Sequence, residues 1–181
     1  MIAPRKTLHS TPHAVIAQAF DLARVTEEDV VCDVGCGDGR VLLYAASQLH
    51  VARCVGIEID QDRANGVLAK AKELGFQDNF HVYCGNALEM NIDEDVSVLF
   101  LFLIERGLKQ VFRQLLECQS KLRAKPLRII TYLYRIHVMD PYLVDTRMCA
   151  AVQETIDVKS AKTEAKFPIY YYLLPPIHRS S

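Results

Sequence analysis

The stretch Val30-Val31-Cys32-Asp33-Val34-Gly35-Cys36-Gly37-Asp38-Gly39-Arg40 decides the fold. Val30 to Val34 is an apolar, β-branched run interrupted only by Cys32 and Asp33, the composition of a buried strand. Gly35, Gly37 and Gly39 then lack a Cβ at every second position. Such a turn can pass close under a ligand and leave N–H groups at the mouth of the next helix. The apolar run resumes at Val41-Leu42-Leu43-Tyr44-Ala45-Ala46 as that helix. Strand, glycine turn and helix together open a nucleotide-binding βαβ unit.

A dinucleotide fold wants Gly-x-Gly-x-x-Gly at this turn. Counted from Gly35, the last position of that fingerprint is Arg40, so the fingerprint fails. The pattern is instead Gly-x-Gly-x-Gly with an acid, Asp33, two residues ahead. In this the stretch resembles motif I of the class I S-adenosylmethionine (SAM) methyltransferases.

The chain has 181 residues, which suits one domain over 11–181 preceded by a flexible arm over 1–10. Half of the residues are hydrophobic, 24% are charged and the net charge is −1, so no anionic partner is demanded overall. Charge is uneven locally: Arg106, Lys109, Arg113, Lys121, Arg123, Lys125 and Arg128 face one acid, Glu117. That basic run, 106–128, reads as a solvated helix with its following loop, or as a surface for RNA.

The six cysteines fall in or beside apolar runs with no Cys-x-x-Cys pair. They read as small buried hydrophobes in a reducing compartment, and His9, His13 and His137 lack metal-ligand spacing, so no metal is expected. No apolar run reaches a membrane span, the longest being Val96–Ile104. The N-terminus lacks a signal-peptide core. Residues 1–10 are basic and free of acid, which leaves the cytoplasm as the expected location and the mitochondrion as the alternative.

Taken in order, Thr11 and Pro12 read as N-cap and first turn of a helix running to about Arg24, with Val15, Ile16, Ala19, Phe20 and Ala23 on one face. The helix after the glycine turn runs to about Gln48, and Arg53–Ile59 is the second strand. Asp60 caps a helix whose stripe is Ala64, Val67, Leu68, Ala71 and Leu74, stopped by Gly75. Phe80–Cys84 is the third strand. Val96–Leu103 is the most hydrophobic strand and should sit centrally. Glu105 to about Ser120 is an amphipathic helix carrying Leu108, Val111, Phe112, Leu115 and Leu116, and Arg128–Leu133 the fifth strand. Residues 135–149 show no period. Val152–Val158 and Ile169–Leu174 read as an antiparallel pair across a charged turn, Lys159–Lys166. The fold class is therefore α/β, a doubly wound, mostly parallel seven-stranded sheet with an antiparallel terminal strand, Rossmann-like as in the SAM methyltransferases.

Ligands of such sheets bind at the carboxyl ends of the strands. There lie Gly35–Gly39, Glu58, Asn86-Ala87 and Leu103–Glu105. Glu58 follows the turn at about the ~20-residue spacing of an acid that accepts hydrogen bonds from ribose hydroxyls. The resemblance implies that Asp33 and the backbone of Gly35 and Gly37 face the methionine part of SAM. Asp33 either orients the turn or reaches the ligand's amino group. At the position where the family usually has an acid for the adenine amino group this chain has Asn86, whose amide oxygen is also an acceptor. The cofactor set implied is Asp33, Gly35, Cys36, Gly37, Gly39, Glu58, Ile59, Asn86 and Ala87.

The Thr-Pro helix start, Asp-x-Gly-x-Gly-Asp-Gly-Arg, and the closing Ile-Tyr-Tyr-Tyr-Leu-Leu-Pro strand are similar to small bacterial SAM methyltransferases. They are similar also to the mitochondrial lysine methyltransferases of carrier and ATP-synthase proteins. The similarity covers about residues 10–134 and the last strand. It implies a protein lysine as acceptor, with RNA, a small molecule or a non-catalytic partner role as alternatives. No Asn/Asp-Pro-Pro-Tyr motif follows the fourth strand, which argues against base N-methylation of that type. Glu105, Tyr132 and Tyr134 are the candidate catalytic or pocket residues, each with packing or capping as its other reading.

Overall fold

The computed structural model describes residues 10–103, 105–119, 125–151 and 165–176. Its sheet has seven strands: β1 (Val30–Val34), β2 (Arg53–Glu58), β3 (Phe80–Cys84), β4 (Val98–Leu101), β5 (Leu127–Tyr132), β6 (Leu143–Ala151) and β7 (Ala165–Leu174). Their order is β3-β2-β1-β4-β5-β7-β6. The first five strands run parallel, while β7 lies antiparallel to β5 and β6 antiparallel to β7. The order reverses between β1 and β4, so their carboxyl ends form the crevice where a ligand can enter.

Helices α1 (His13–Leu22), α2 (Arg40–Gln48), α3 (Gln61–Glu73) and α4 (Glu105–Gln119) supply the layers. On one face of the sheet Val15, Ile16, Ala19 and Phe20 of α1 and Val41, Leu42 and Ala45 of α2 pack with Val31, Phe100 and Ile130. Phe20 meets Phe100 edge-on at 6.1 Å. On the other face Leu108, Val111 and Phe112 of α4 cover Leu99, Leu101 and Ile129. β4, apolar throughout and fully buried, lies at the centre because both its faces are covered.

Several boundaries differ from the sequence reading for local reasons. Pro12, not Thr11, is the N-cap of α1, in extended conformation and with no side-chain cap bond. Asp60 does cap α3, its carboxylate accepting from the Arg63 amide at 3.1 Å, and Gly75 does take positive φ beyond its end. Leu68 and Leu74, read onto the α3 stripe, are exposed, because Ala64, Val67 and Ala71 alone face the sheet. Leu115 and Leu116 lie outside the described side chains.

The largest correction concerns residues 135–149. They form a 3-10 turn, His137–Tyr142, and then β6. The expected strand Val152–Val158 and most of the charged turn lie outside the described residues; Lys166 belongs to β7, which begins at Ala165. β6 hides its period because a bulge between Leu143 and Asp145 shifts the alternation. Charged positions on the strand also find partners: Arg147 reaches Asp21 and the Gln18 carbonyl of α1.

Candidate functional site

The glycine turn is held from beneath by β2. The amides of Gly35 and Cys36 both donate to the Ile57 carbonyl, at 2.7 and 3.1 Å. Gly35, Gly37 and Gly39 have φ of 78°, 56° and 74°, a left-handed conformation at alternate positions that side chains with a Cβ rarely adopt. Two of them also fill space a Cβ would contest. At Gly35 it would lie 3.0 Å from Leu103 Cδ2, and at Gly39 it would lie 2.4 Å from Val67 Cγ1. Gly39 is the N-cap of α2, so the free N–H groups of that helix open onto the turn.

Glu58, the last residue of β2, closes the turn from the side. Gly37 N–H donates to its Oε2 at 2.8 Å, and Asp60 N–H donates to Oε1 at 3.0 Å. The side chain is 4% exposed, and these two amides hold the carboxylate in place. Each oxygen keeps a lone pair free for ligand hydroxyls.

Asp33 sits beside it on β1, 4% exposed, and its carboxyl has no hydrogen-bond partner among the described residues. Burial, then the neighbouring charges of Asp38 and Glu58, push its pKa up to about 8. A buried, unpartnered acid costs stability and marks the place where a cationic group is missing. Cys36 is buried below the turn, its thiol pushed up first by desolvation and then by Asp33 and Glu58. Its Sγ lies where a Cβ on Gly56 would come within 2.9 Å. Gly56, which the sequence reading passed over, is the space into which Cys36 packs.

Asp38 and Arg40 are the other functional residues missed. Arg40 forks onto Asp38, with Nη2 at 2.7 Å and Nε at 2.9 Å from Oδ2. Arg40 also donates to the Thr11 carbonyl at 3.3 Å, and Ser10 Oγ donates to Asp38 at 2.9 Å. Burial opposes ionisation of Asp38, but the bonds from Arg40 and Ser10 win and hold its pKa below the usual carboxylate value. The two residues thus fasten the chain before α1 to the glycine turn. In the sequence both residues stood only within the Asp-x-Gly-x-Gly-Asp-Gly-Arg motif, with Arg40 also the failed last position of a dinucleotide fingerprint, and nothing there pointed to Ser10 or Thr11.

At the end of β3, Asn86 turns inward on its own loop. Its Oδ1 accepts from Leu88 N–H at 3.1 Å and its amide donates to Glu89 at 3.0 Å. One oxygen lone pair remains for a ligand. Ile59 and Ala87 lie beside Glu58 and Asn86, part-buried. Tyr132 is buried at the end of β5, whereas Tyr134 is 37% exposed. Glu105 is the first residue of α4, its side chain outside those described. A groove behind α2, lined by His13, Tyr44, Ser47, Gln48 and Lys70, shares Asp38 and Arg40 with the turn but excludes Asp33 and Glu58.

Of the basic run, Arg128 is not surface charge. It donates to the carbonyls of Ala23 and Arg24 and pairs with Asp29, capping the end of α1. Among the described residues no group of three His, Cys, Asp or Glu is placed to hold a metal ion, and no helix is long and apolar enough to cross a membrane.

The arrangement suits a ligand with vicinal hydroxyls at Glu58, a cationic amine at Asp33 and its middle over the glycines. The family model for the ANTKMT methyltransferase domain matches residues 33–142. A protein-lysine N-methyltransferase of Saccharolobus islandicus (strain REY15A) is 30% identical over 132 residues, covering 72% of this chain and 78% of that protein. Among solved structures, an RNA methyltransferase of Salinibacter ruber in complex with S-adenosyl-L-homocysteine aligns with a TM-score of 0.67. It is 26% identical and covers 92% of this chain and 94% of that one. The MccD protein aligns at 0.66 with 10% identity, over 92% of this chain and 100% of that one, a likeness of fold.

Proposed function

We propose, on the premise that this chain belongs to the ANTKMT methyltransferase domain family and is a SAM-dependent methyltransferase, that its acceptor is the side-chain amine of a protein lysine. The observation that carries this reading is the lysine methyltransferase relative, which is 30% identical over 72% of this chain. The aromatic residues at the β4 and β5 ends, Phe102 and Tyr132, support it, because an apolar surround favours the neutral amine that must attack.

The residues present fit SAM. The left-handed glycines present bare backbone at alternate positions of the turn, and the buried Asp33 carboxyl, without a hydrogen-bond partner among the described residues, suits a cation. Asp33 would take the ammonium of the methionine part, Glu58 the ribose hydroxyls, and Asn86 Oδ1 the adenine amino group. Gly35, Cys36, Gly37 and Gly39 would line the ligand's middle, with Ile59 and Ala87 flanking the base. When bound, SAM supplies an activated methyl group: a neutral amine's lone pair takes the methyl carbon, the C–S electron pair stays with sulfur, and the surplus proton goes to water. The protein's task is alignment. Glu58 fixes the turn through Gly37, and Leu103 packs on Gly35 to bring the end of β4 against it.

The five described cysteines are free thiols, four of them buried, which supports a reducing compartment. The cytoplasm is the proposed location and the mitochondrion the alternative. The acceptor is tested by transferring labelled methyl from SAM to a cell lysate and then treating with protease or with RNase. Protease-sensitive label recovered as methyl-lysine is expected. Label sensitive to RNase alone would overturn the lysine acceptor.

A further inference from the structure

The carboxyl ends of β4 and β5 and the amino end of β7 share an aromatic row that the proposed cofactor contacts leave unused. Phe102 follows β4, Tyr132 ends β5 and Phe167 lies near the start of β7. Their rings run in series, Phe102 to Tyr132 at 5.0 Å and Tyr132 to Phe167 at 6.3 Å, the latter edge-on. All three lie on the sheet face that carries α1, with Phe100, Ile130 and Ile169 beneath them. Asp33 belongs to the same row of strands, opposite Phe100 in register. Leu103, next to Phe102, packs on Gly35 of the turn. The row therefore begins at the end of β4, beside the end of β1 that leads into the glycine turn, and runs away from it across β5 to β7.

Two features of this row have no structural use in view. Tyr132 is 4% exposed, yet its hydroxyl has no hydrogen-bond partner among the described residues, while Phe102 and Phe167 on either side of it stay part-exposed. A buried hydroxyl without a partner costs free energy that a ligand can return. Directly after Tyr132, Leu133 adopts φ of 70°, a rare conformation for a bulky side chain. It is pinned there: Leu133 N–H donates to the Pro168 carbonyl at 3.0 Å and Thr131 Oγ1 to the Tyr134 carbonyl at 2.8 Å. Strain that the surroundings enforce gathers at functional sites. Here it ends β5 abruptly beside the unpartnered hydroxyl.

We propose that Phe102, Tyr132 and Phe167 form the slot for the acceptor's alkylamine arm, with the methylene stem along the phenylalanine rings and the amine hydrogen-bonded to the Tyr132 hydroxyl. The proposal rests on the lysine reading above and says where that side chain lies. The three residues carry no charge, and burial among them disfavours the ammonium and so raises the share of the neutral amine, the form able to attack. Tyr132 itself stays protonated, since burial and then nearby Cys149 push its pKa up to about 12. It is thus a neutral partner for an N–H, not a base that consumes a proton.

The test compares the wild-type enzyme with Tyr132→Phe, Phe167→Leu and Phe102→Leu, each of which keeps apolar bulk. Labelled-methyl transfer from SAM to lysate protein is measured from pH 7 to 10, alongside SAM affinity by calorimetry and inhibition by n-butylamine. Tyr132→Phe should lose at least tenfold in transfer rate and change the pH profile, with SAM affinity within twofold of wild type. Phe167→Leu should raise the acceptor KM and weaken n-butylamine inhibition. Transfer and inhibition unchanged in all three variants would overturn the slot while leaving the lysine reading intact. Loss of SAM affinity in step with transfer would also overturn it. Label entering RNA alone in the wild type would overturn both.

Discussion

Gly37 N–H and Glu58 Oε2 meet at 2.8 Å, joining the glycine turn to the end of the neighbouring strand through a buried hydrogen bond. The same carboxylate takes Asp60 N–H at 3.0 Å, so one side chain sets the turn, its own strand end and the start of α3. Glu58→Ala leaves two amides without this acceptor, which costs about 1–3 kcal/mol for each that water cannot reach. The expected outcome is a lower melting temperature and a loss of SAM affinity of tenfold or more. Glu58→Gln keeps one oxygen, so its melting temperature should lie between the two. A variant that binds SAM like wild type in calorimetry would show that the ribose contact is absent.

Gly39 is the turn's tightest point. Alanine there faces both φ of 74° and a contact of 2.4 Å with Val67 Cγ1. Gly39→Ala should destabilise the protein by about 1–3 kcal/mol, from backbone strain and overpacking together. Val67→Ala in the same chain removes the contact but not the strain, so it should restore part of the loss. The coupling in a double-mutant cycle measures the steric share. A cycle with no coupling would mean that α3 moves aside freely.

Arg40→Ala tests the tie between the turn and the chain ahead of α1. The Asp38–Arg40 pair is about one-third exposed, so solvent screening limits its worth to about 1 kcal/mol or less. The sharper readout is local. Hydrogen exchange in the 10–16 segment should speed up severalfold while the amides of β1 and β4 keep their protection. Uniform acceleration everywhere would instead mean that Arg40 stabilises the whole fold.

The parallel half of the sheet was legible because each of its elements obeys one rule at a time. Val30–Val34 is apolar and ends in glycines, α3 carries its Asp60 cap and Gly75 stop, and β4 is hydrophobic enough to demand both faces covered. Glu58 stood out by its spacing from the turn, and Asp33 through the resemblance of the stretch to motif I. What did not show was whatever depends on contacts distant in sequence. β6 breaks its alternation at a bulge and carries Arg147, whose partner Asp21 lies on α1. Arg128 counted as surface charge until its partners Ala23, Arg24 and Asp29 came beside it. Asp38 and Arg40 reach Ser10 and Thr11, and no local pattern announces such a tie.

Asp33 makes the protein's stability and its ligand affinity depend on pH in opposite directions. Its pKa rises from 3.8 to about 8 on folding, burial being the main cause and Asp38 and Glu58 adding to it. A raised folded pKa means that the native state holds a proton the unfolded chain has released. The contribution is therefore fully present below the unfolded value of 3.8 and is lost as pH rises through about 8. Asp33→Asn removes this dependence, so between pH 7 and 8 the variant should be more stable than wild type by on the order of 1–3 kcal/mol. Binding runs the other way. The ammonium of SAM favours the ionised carboxylate, so ligand binding near pH 7 should expel up to one proton, and affinity should climb with pH toward 8. Calorimetry in two buffers of different ionisation enthalpy counts that proton directly. In Asp33→Asn the release should vanish and affinity should fall by tenfold or more. A variant more stable than wild type yet equally tight for SAM would show that Asp33 shapes the turn and never meets the ligand's amine.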